Sequence, residues 1–97
     1  MSLPVACTLT TAQLLERRQE IVNTFRRIQV NTSELEDGYA FTMPVSSEVL
    51  HRLTELVDME RQCCAFLTFK IVVDQSAIRL EVTGPGEAKK LIAEYFS

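Results

Sequence analysis

A tight turn near the middle of the chain constrains the fold more than any other feature. Glu36-Asp37-Gly38 separates two short stretches with strand character, and Asp-Gly is a strong hairpin dipeptide. Val30 and Thr32 suit a strand before the turn, and apolar residues alternate with smaller ones over 39–43 after it. A hairpin of this kind commits this part of the chain to an antiparallel sheet.

A second pair of strands follows further along the chain. Residues 67–73 are rich in β-branched and aromatic side chains, which favour a strand. Asp74-Gln75-Ser76 then provides a turn, and apolar residues alternate with charged ones over 78–82. The pattern predicts a second antiparallel hairpin.

Apolar residues at helical spacing predict a helix before each hairpin and one after the second. The first helix is expected to open at Thr10 or Thr11, and the second at Ser46 or Ser47, continuing to about Cys63. The last is expected to carry Pro85 in its first turn.

The predicted order is therefore α-β-β-α-β-β-α, an α+β fold. We expect a single domain over residues 1–97, with a two-layer architecture and helices on one face of a four-stranded antiparallel sheet. A ferredoxin-like β-α-β-β-α-β arrangement is the alternative, but the chain begins with a helix and offers no isolated first strand. Val72 points away from Ile71 and Val73, so the sheet is apolar on both faces, which favours a homodimer.

Charge and composition exclude some classes of function. The net charge of −3 argues against nucleic-acid binding, and no apolar run approaches the ~18 residues of a membrane span. The chain has three cysteines, Cys7, Cys63 and Cys64, and opens without a basic-then-apolar leader. An odd cysteine count without a leader predicts the reducing cytoplasm.

The segment Glu60–Phe66 carries the chemistry. On a helical wheel of ~100° per residue, Glu60 and Cys64 each fall about 20° from Leu53, in the middle of the apolar stripe of the second helix. A carboxylate in that position is costly unless it has a partner. Cys63 and Cys64 follow Glu60 by three and four residues, which are neighbouring positions on a helix surface.

Three interpretations of this segment remain open. An arginine of the first helix, Arg17 or Arg18, would pair with Glu60 and leave the cysteines as small core residues. Alternatively, zinc or another soft metal ion would be bound by Cys63, Cys64 and Glu60, with Cys7 as a further ligand. A catalytic or redox cysteine is less favoured, because a helix C-terminus and a carboxylate both oppose a thiolate.

The segment also resembles a known family. Ala6–Thr10, Arg17-Arg18 and Glu60–Phe66, with residues 80–84, are similar to a family of small uncharacterised bacterial cytoplasmic proteins whose hallmark is E-R-x-C-C-P-F. Ala65 stands at the position of the hallmark proline. The resemblance implies bacterial origin and a single α+β domain, and it marks Cys7, Glu60, Cys63 and Cys64 as positions of interest.

The functional expectation is therefore binding rather than catalysis. The leading hypothesis is a soft metal ion or thiophilic ligand held through Cys63 and Cys64. A homo-oligomeric interaction module with structural cysteines is the alternative, and its arginine-bearing first helix would suit an acidic protein partner. A thiol or redox enzyme is the third possibility.

Overall fold

The helices and strands follow the predicted order. The computed structural model describes residues 12–96, with side chains described from Glu16 onward, so the predicted helix start at Thr10 or Thr11 lies outside the described residues. The elements are α1 (Ala12–Ile28), β1 (Asn31–Leu35), β2 (Gly38–Met43), α2 (Ser47–Cys63), β3 (Thr68–Val73), β4 (Ile78–Thr83) and α3 (Ala88–Phe96).

The four strands form one antiparallel sheet in the order β1-β2-β4-β3, which confirms the α+β prediction. In β4 every second residue is buried, and two of these pair with buried residues of β2: Leu80 lies opposite Phe41 and Ile78 opposite Met43. Because side chains alternate between the two faces of a sheet, the three helices cover one face only.

Aromatic side chains join the helices to the sheet. The ring centroid of Phe25 on α1 lies 5.2 Å from that of Phe41 on β2 and 5.9 Å from that of Phe96 on α3, in edge-to-face geometry. Such pairs contribute about 0.5–1.5 kcal/mol beyond the burial of their area. This cluster fixes α1 and α3 against the sheet.

Two local expectations differ from the structure. The turn consists of Glu36 and Asp37, so Gly38, expected as part of the turn, is instead the first residue of β2 and has no positive φ. An added Cβ at Gly38 would overlap the backbone carbonyl oxygen of Val82, so the close approach of β4 requires glycine at this position. Pro85 lies in a bend three residues before α3 begins at Ala88, so placing it in the first helical turn was wrong. Its carbonyl oxygen instead accepts the N–H of Ala88 at 3.1 Å.

The face of the sheet away from the helices is mostly polar. Glu81 of β4 lies between Lys70 and Arg79, with nitrogen–oxygen distances of 3.9 and 3.7 Å. Two larger apolar side chains also lie on this face, Val72 of β3, which is 39% exposed, and the half-buried Leu35 of β1. The homodimer stays a prediction. Among residues 12–96, no helix has both the length and the apolar character needed to cross a membrane.

Helix α2 positions the segment of interest at its end. The Ser46 hydroxyl oxygen accepts the N–H of Val49 at 3.1 Å and so caps the first turn, as predicted. The helix ends at Cys63, and the N–H of Cys64 still donates to the carbonyl oxygen of Glu60 at 2.6 Å. The carboxylate and both cysteines therefore share the last turn of α2.

Candidate metal-binding site at the end of the second helix

Glu60 is fully buried and paired with Arg18 of α1. Arg18 Nε donates to Glu60 Oε1 at 2.6 Å, and Arg18 Nη2 donates to Oε2 at 2.9 Å. Arg18 itself is only 4% exposed. This bidentate arrangement is the strongest geometry available to a guanidinium and a carboxylate, and it neutralises the charge that the helical wheel placed in the core.

The neighbouring arginine does not reach this carboxylate. Arg17 turns outward and its Nη2 lies 2.6 Å from Glu55 Oε1 of α2, with both side chains exposed. Of the two candidate partners, the structure therefore places Arg18 at the site and Arg17 at the surface.

Tyr95 of α3 completes the surroundings of Arg18. Arg18 Nη1 donates to the Tyr95 hydroxyl oxygen, and the guanidinium carbon lies 3.9 Å from the centroid of the Tyr95 ring. In the sequence, Tyr95 fits the apolar spacing of the last helix and nothing more, so its contact with the site was not predicted. The sequence does offer one indication of this contact: a tyrosine on the buried face of a helix usually needs a hydrogen-bond partner for its hydroxyl.

The two cysteines lie directly beside Glu60. Cys64 Sγ is 3.6 Å from Cys63 Sγ and 3.7 Å from Glu60 Oε2. One ligand atom from each of the three residues lies within 4.8 Å of the other two, and all three side chains are buried. The sulfur–sulfur distance is far longer than a disulfide bond of ~2.05 Å. The fourth predicted ligand, Cys7, lies outside the described residues.

Charges of both signs face the Cys64 sulfur. Arg18 Nη2 lies 3.8 Å from Cys64 Sγ, almost the same distance as the Glu60 carboxylate oxygen. A cation this close favours a thiolate and an anion opposes it, so the two neighbours act on the sulfur in opposite directions. The sequence argument counted only the carboxylate and the helix end, because it could not place Arg18 beside the sulfur.

A turn connects the site to β3. The N–H of Leu67 donates to the carbonyl oxygen of Cys64 at 3.0 Å, which puts Ala65 at the second position of a four-residue turn. Proline is favoured at that position, and helices usually end at or before the residue that precedes a proline. The turn geometry thus suits the proline of the hallmark that the segment resembles.

The histidine and two further arginines of α1, Arg26 and Arg27, have positions or partners elsewhere in the described part of the chain. His51 is exposed near the start of α2, about 18 Å along the helix from Cys63 at 1.5 Å per residue. Arg26 donates to the carbonyl oxygen of Glu94, and Arg27 donates to the Thr24 hydroxyl. The arginines of α1 are therefore engaged within the chain, and an acidic protein partner stays a prediction.

Comparisons of the chain with models of known protein families, with curated proteins and with solved structures found no match. The functional argument therefore depends on the geometry of the site.

Proposed function

We propose that the protein binds a soft or borderline metal ion, or another thiophilic ligand, through Cys63 and Cys64 with Glu60 as a third ligand. The observation that carries this proposal is the convergence of two sulfurs and a carboxylate oxygen within 4.8 Å at the end of α2. Thiolates select ions such as Zn²⁺ and Cu(I), and zinc also accepts carboxylate oxygen.

The outer contacts of Glu60 support a ligand role. Carboxylates that bind metals are commonly held by further hydrogen bonds, which orient them. Arg18 supplies two such bonds, and Tyr95 in turn accepts one from Arg18. Glu60 Oε2 lies 3.7 Å from the Cys64 sulfur, so one carboxylate oxygen already contacts one of the two proposed sulfur ligands.

A second candidate function is a homodimeric interaction module with structural core cysteines. The pairing order leaves β3 at an edge of the sheet, where Val72 and Val73 are 39% and 48% exposed. Exposed edge strands are templates for pairing with another chain. The Arg18–Glu60 pair would then serve the core alone.

The resemblance of the Glu60–Phe66 segment adds the proposal of a bacterial cytoplasmic protein.

Metal-dependent stability separates the two functions. An ion present at ~100 times its dissociation constant stabilises the protein that binds it by about 2.7 kcal/mol, which raises the melting temperature by several degrees. We expect zinc or Cu(I) to produce this shift in the reduced wild-type protein, with proton release as the thiols ionise. The measurement is a set of melting curves with each ion and with a chelator, together with the pH change on titration of weakly buffered protein.

Two variants provide the controls. Cys63→Ser/Cys64→Ser removes the ligands and is expected to abolish the ion-dependent shift, while Cys63→Ala/Cys64→Ala removes them and keeps the core apolar. If no thiophilic ion shifts the wild-type curve, the proposed binding function is rejected. Sedimentation of the same samples tests the second candidate, since an 11.0 kDa species at all concentrations contradicts the homodimer.

A further inference from the structure

The fixed charges around the two sulfurs suggest which ion the site accepts. Arg18 contributes one positive charge and Glu60 one negative charge, and both lie within 4 Å of Cys64 Sγ. Building on the function proposed above, we propose that the site binds a divalent ion of the zinc class at a tetrahedral centre, in preference to a monovalent ion such as Cu(I), and that Glu60 sets this choice.

The charge argument starts from the metal-free state. Among the described residues, the opposite charges of Arg18 and Glu60 cancel, so this pair adds no net charge to the cluster. A divalent ion that binds two thiolates, with release of two protons, keeps the cluster neutral. A monovalent ion on the same two thiolates leaves one net negative charge, and an uncompensated buried charge is unfavourable.

The sulfur–sulfur distance favours the same class of ion. A tetrahedral centre with ~2.3 Å metal–sulfur bonds separates its sulfurs by about 3.8 Å, whereas a linear two-coordinate centre with those bonds requires about 4.6 Å. Cys63 Sγ and Cys64 Sγ lie 3.6 Å apart. The pair therefore needs little movement to form one edge of a tetrahedron, and a Glu60 carboxylate oxygen within 4.8 Å of both sulfurs would supply a third ligand atom.

Arg18 acts in this scheme as a positioning residue. Its two hydrogen bonds hold both oxygens of the Glu60 carboxylate, and its own position is fixed by the hydroxyl and ring of Tyr95. Arg18 also supplies the charge that Glu60 needs before any ion arrives. The preference for a divalent ion is thus a property of the pair, not of the carboxylate alone.

Glu60→Gln reverses the charge argument while preserving the shape of the side chain. The fixed charge becomes positive, so a monovalent ion on two thiolates is now neutral and a divalent ion is not. We expect the ratio of Cu(I) to Zn²⁺ dissociation constants to fall at least about tenfold, because a unit charge acts here over a few ångströms. The ratio is measured under reducing, oxygen-free conditions by competition with chromophoric chelators.

Two further variants separate charge from the loss of a ligand. Arg18→Gln/Glu60→Gln lacks the same carboxylate but restores a fixed charge of zero, so the ratio is expected to return toward that of the wild type. Glu55→Gln removes the exposed carboxylate that pairs with Arg17 on the same two helices, and is expected to leave the ratio unchanged.

The outcomes distinguish this inference from the proposed function. If the wild-type protein binds neither ion, the metal site itself is rejected. If it binds both ions and Glu60→Gln leaves the ratio unchanged, or the double variant does not restore it, the charge inference is overturned while the metal site stands. Circular dichroism checks that each variant folds.

A measurement on the wild-type protein keeps the inference testable if a variant does not fold. Co²⁺ substitutes for Zn²⁺ as a spectroscopic probe, and a tetrahedral site gives intense visible ligand-field bands with sulfur-to-cobalt charge transfer in the near ultraviolet. We expect both features in a complex of one Co²⁺ per chain. Weak octahedral bands, or saturation without charge transfer, would overturn the tetrahedral assignment.

Discussion

Arg17 and Arg18 are adjacent on α1, and each contacts a glutamate of α2 with a nitrogen–oxygen distance of 2.6 Å. The environments of the two ion pairs are otherwise opposite. Arg17 and Glu55 are 59% and 45% exposed and share one hydrogen bond, whereas Arg18 and Glu60 are 4% and 0% exposed and share two. The two ion pairs thus have the same shortest distance and connect the same two helices, but one is exposed to solvent and the other is buried.

The difference shows that burial, rather than distance, decides what an ion pair does. Water competes for the exposed pair, so such contacts contribute about 0–1 kcal/mol. In the buried pair each charge depends on the other, because neither has water as a substitute partner. Of the two pairs, the buried one lies beside the Cys64 sulfur, so this is the pair that would contact a bound ion.

Removing the carboxylate from each pair in turn is the strongest test of the difference between the buried and the exposed ion pair. Glu60→Ala leaves the buried Arg18 without its counter-charge, and we expect a loss of about 3–5 kcal/mol in the free energy of unfolding. Glu55→Ala on the same helix is expected to cost no more than about 1 kcal/mol. Chemical denaturation followed by circular dichroism measures both values at one ionic strength.

Equal losses for the two variants would contradict this prediction. They would mean that solvent reaches Arg18 once the carboxylate is removed, and that the low exposure of the pair does not translate into mutual dependence.

Most of the fold was predictable because it follows from local patterns. The turn at Glu36-Asp37, the alternation in β4 and the serine at position 46 each specify local structure with little help from the rest of the chain. The exceptions depend on distant neighbours. Gly38 is needed because the backbone of Val82 approaches it closely, and no pattern around residue 38 reveals the position of β4.

The candidate site was predictable in part, for a related reason. The periodicity of α2 placed Glu60 and Cys64 toward the core, and both are buried. The choice between Arg17 and Arg18 depends on how α1 is rotated against α2, since adjacent residues differ by ~100° around a helix. Tyr95 is 77 residues from Arg18 in the chain, so its contribution required the packing of α3.

Tyr95→Phe sharpens the comparison by testing how the buried pair is held in place. The variant keeps the ring against the guanidinium but removes the oxygen that accepts from Arg18 Nη1. We expect a loss of about 1 kcal/mol in the free energy of unfolding, the usual net value of one hydrogen bond or slightly more. Tyr39→Phe is the matched control, because within the described residues the Tyr39 hydroxyl makes no hydrogen bond. Equal effects of the two variants would show that the Tyr95 hydroxyl adds nothing to the buried pair.

Ionic strength provides the smallest and most specific contrast between the two ion pairs. The Debye length falls from about 30 Å at 0.01 M salt to about 3 Å at 1 M, and screening acts mainly on exposed charges. The cost of Glu55→Gln is therefore expected to be a few tenths of a kcal/mol at low salt and to vanish at high salt. The cost of Glu60→Gln should change little over the same range, because water and counter-ions do not reach the buried pair. Denaturation of the wild type and both variants at the two salt concentrations tests this difference. A Glu60→Gln cost that disappears at 1 M salt would show that the pair with Arg18 is accessible to solvent, and would weaken the case that it sets the charge of the metal site.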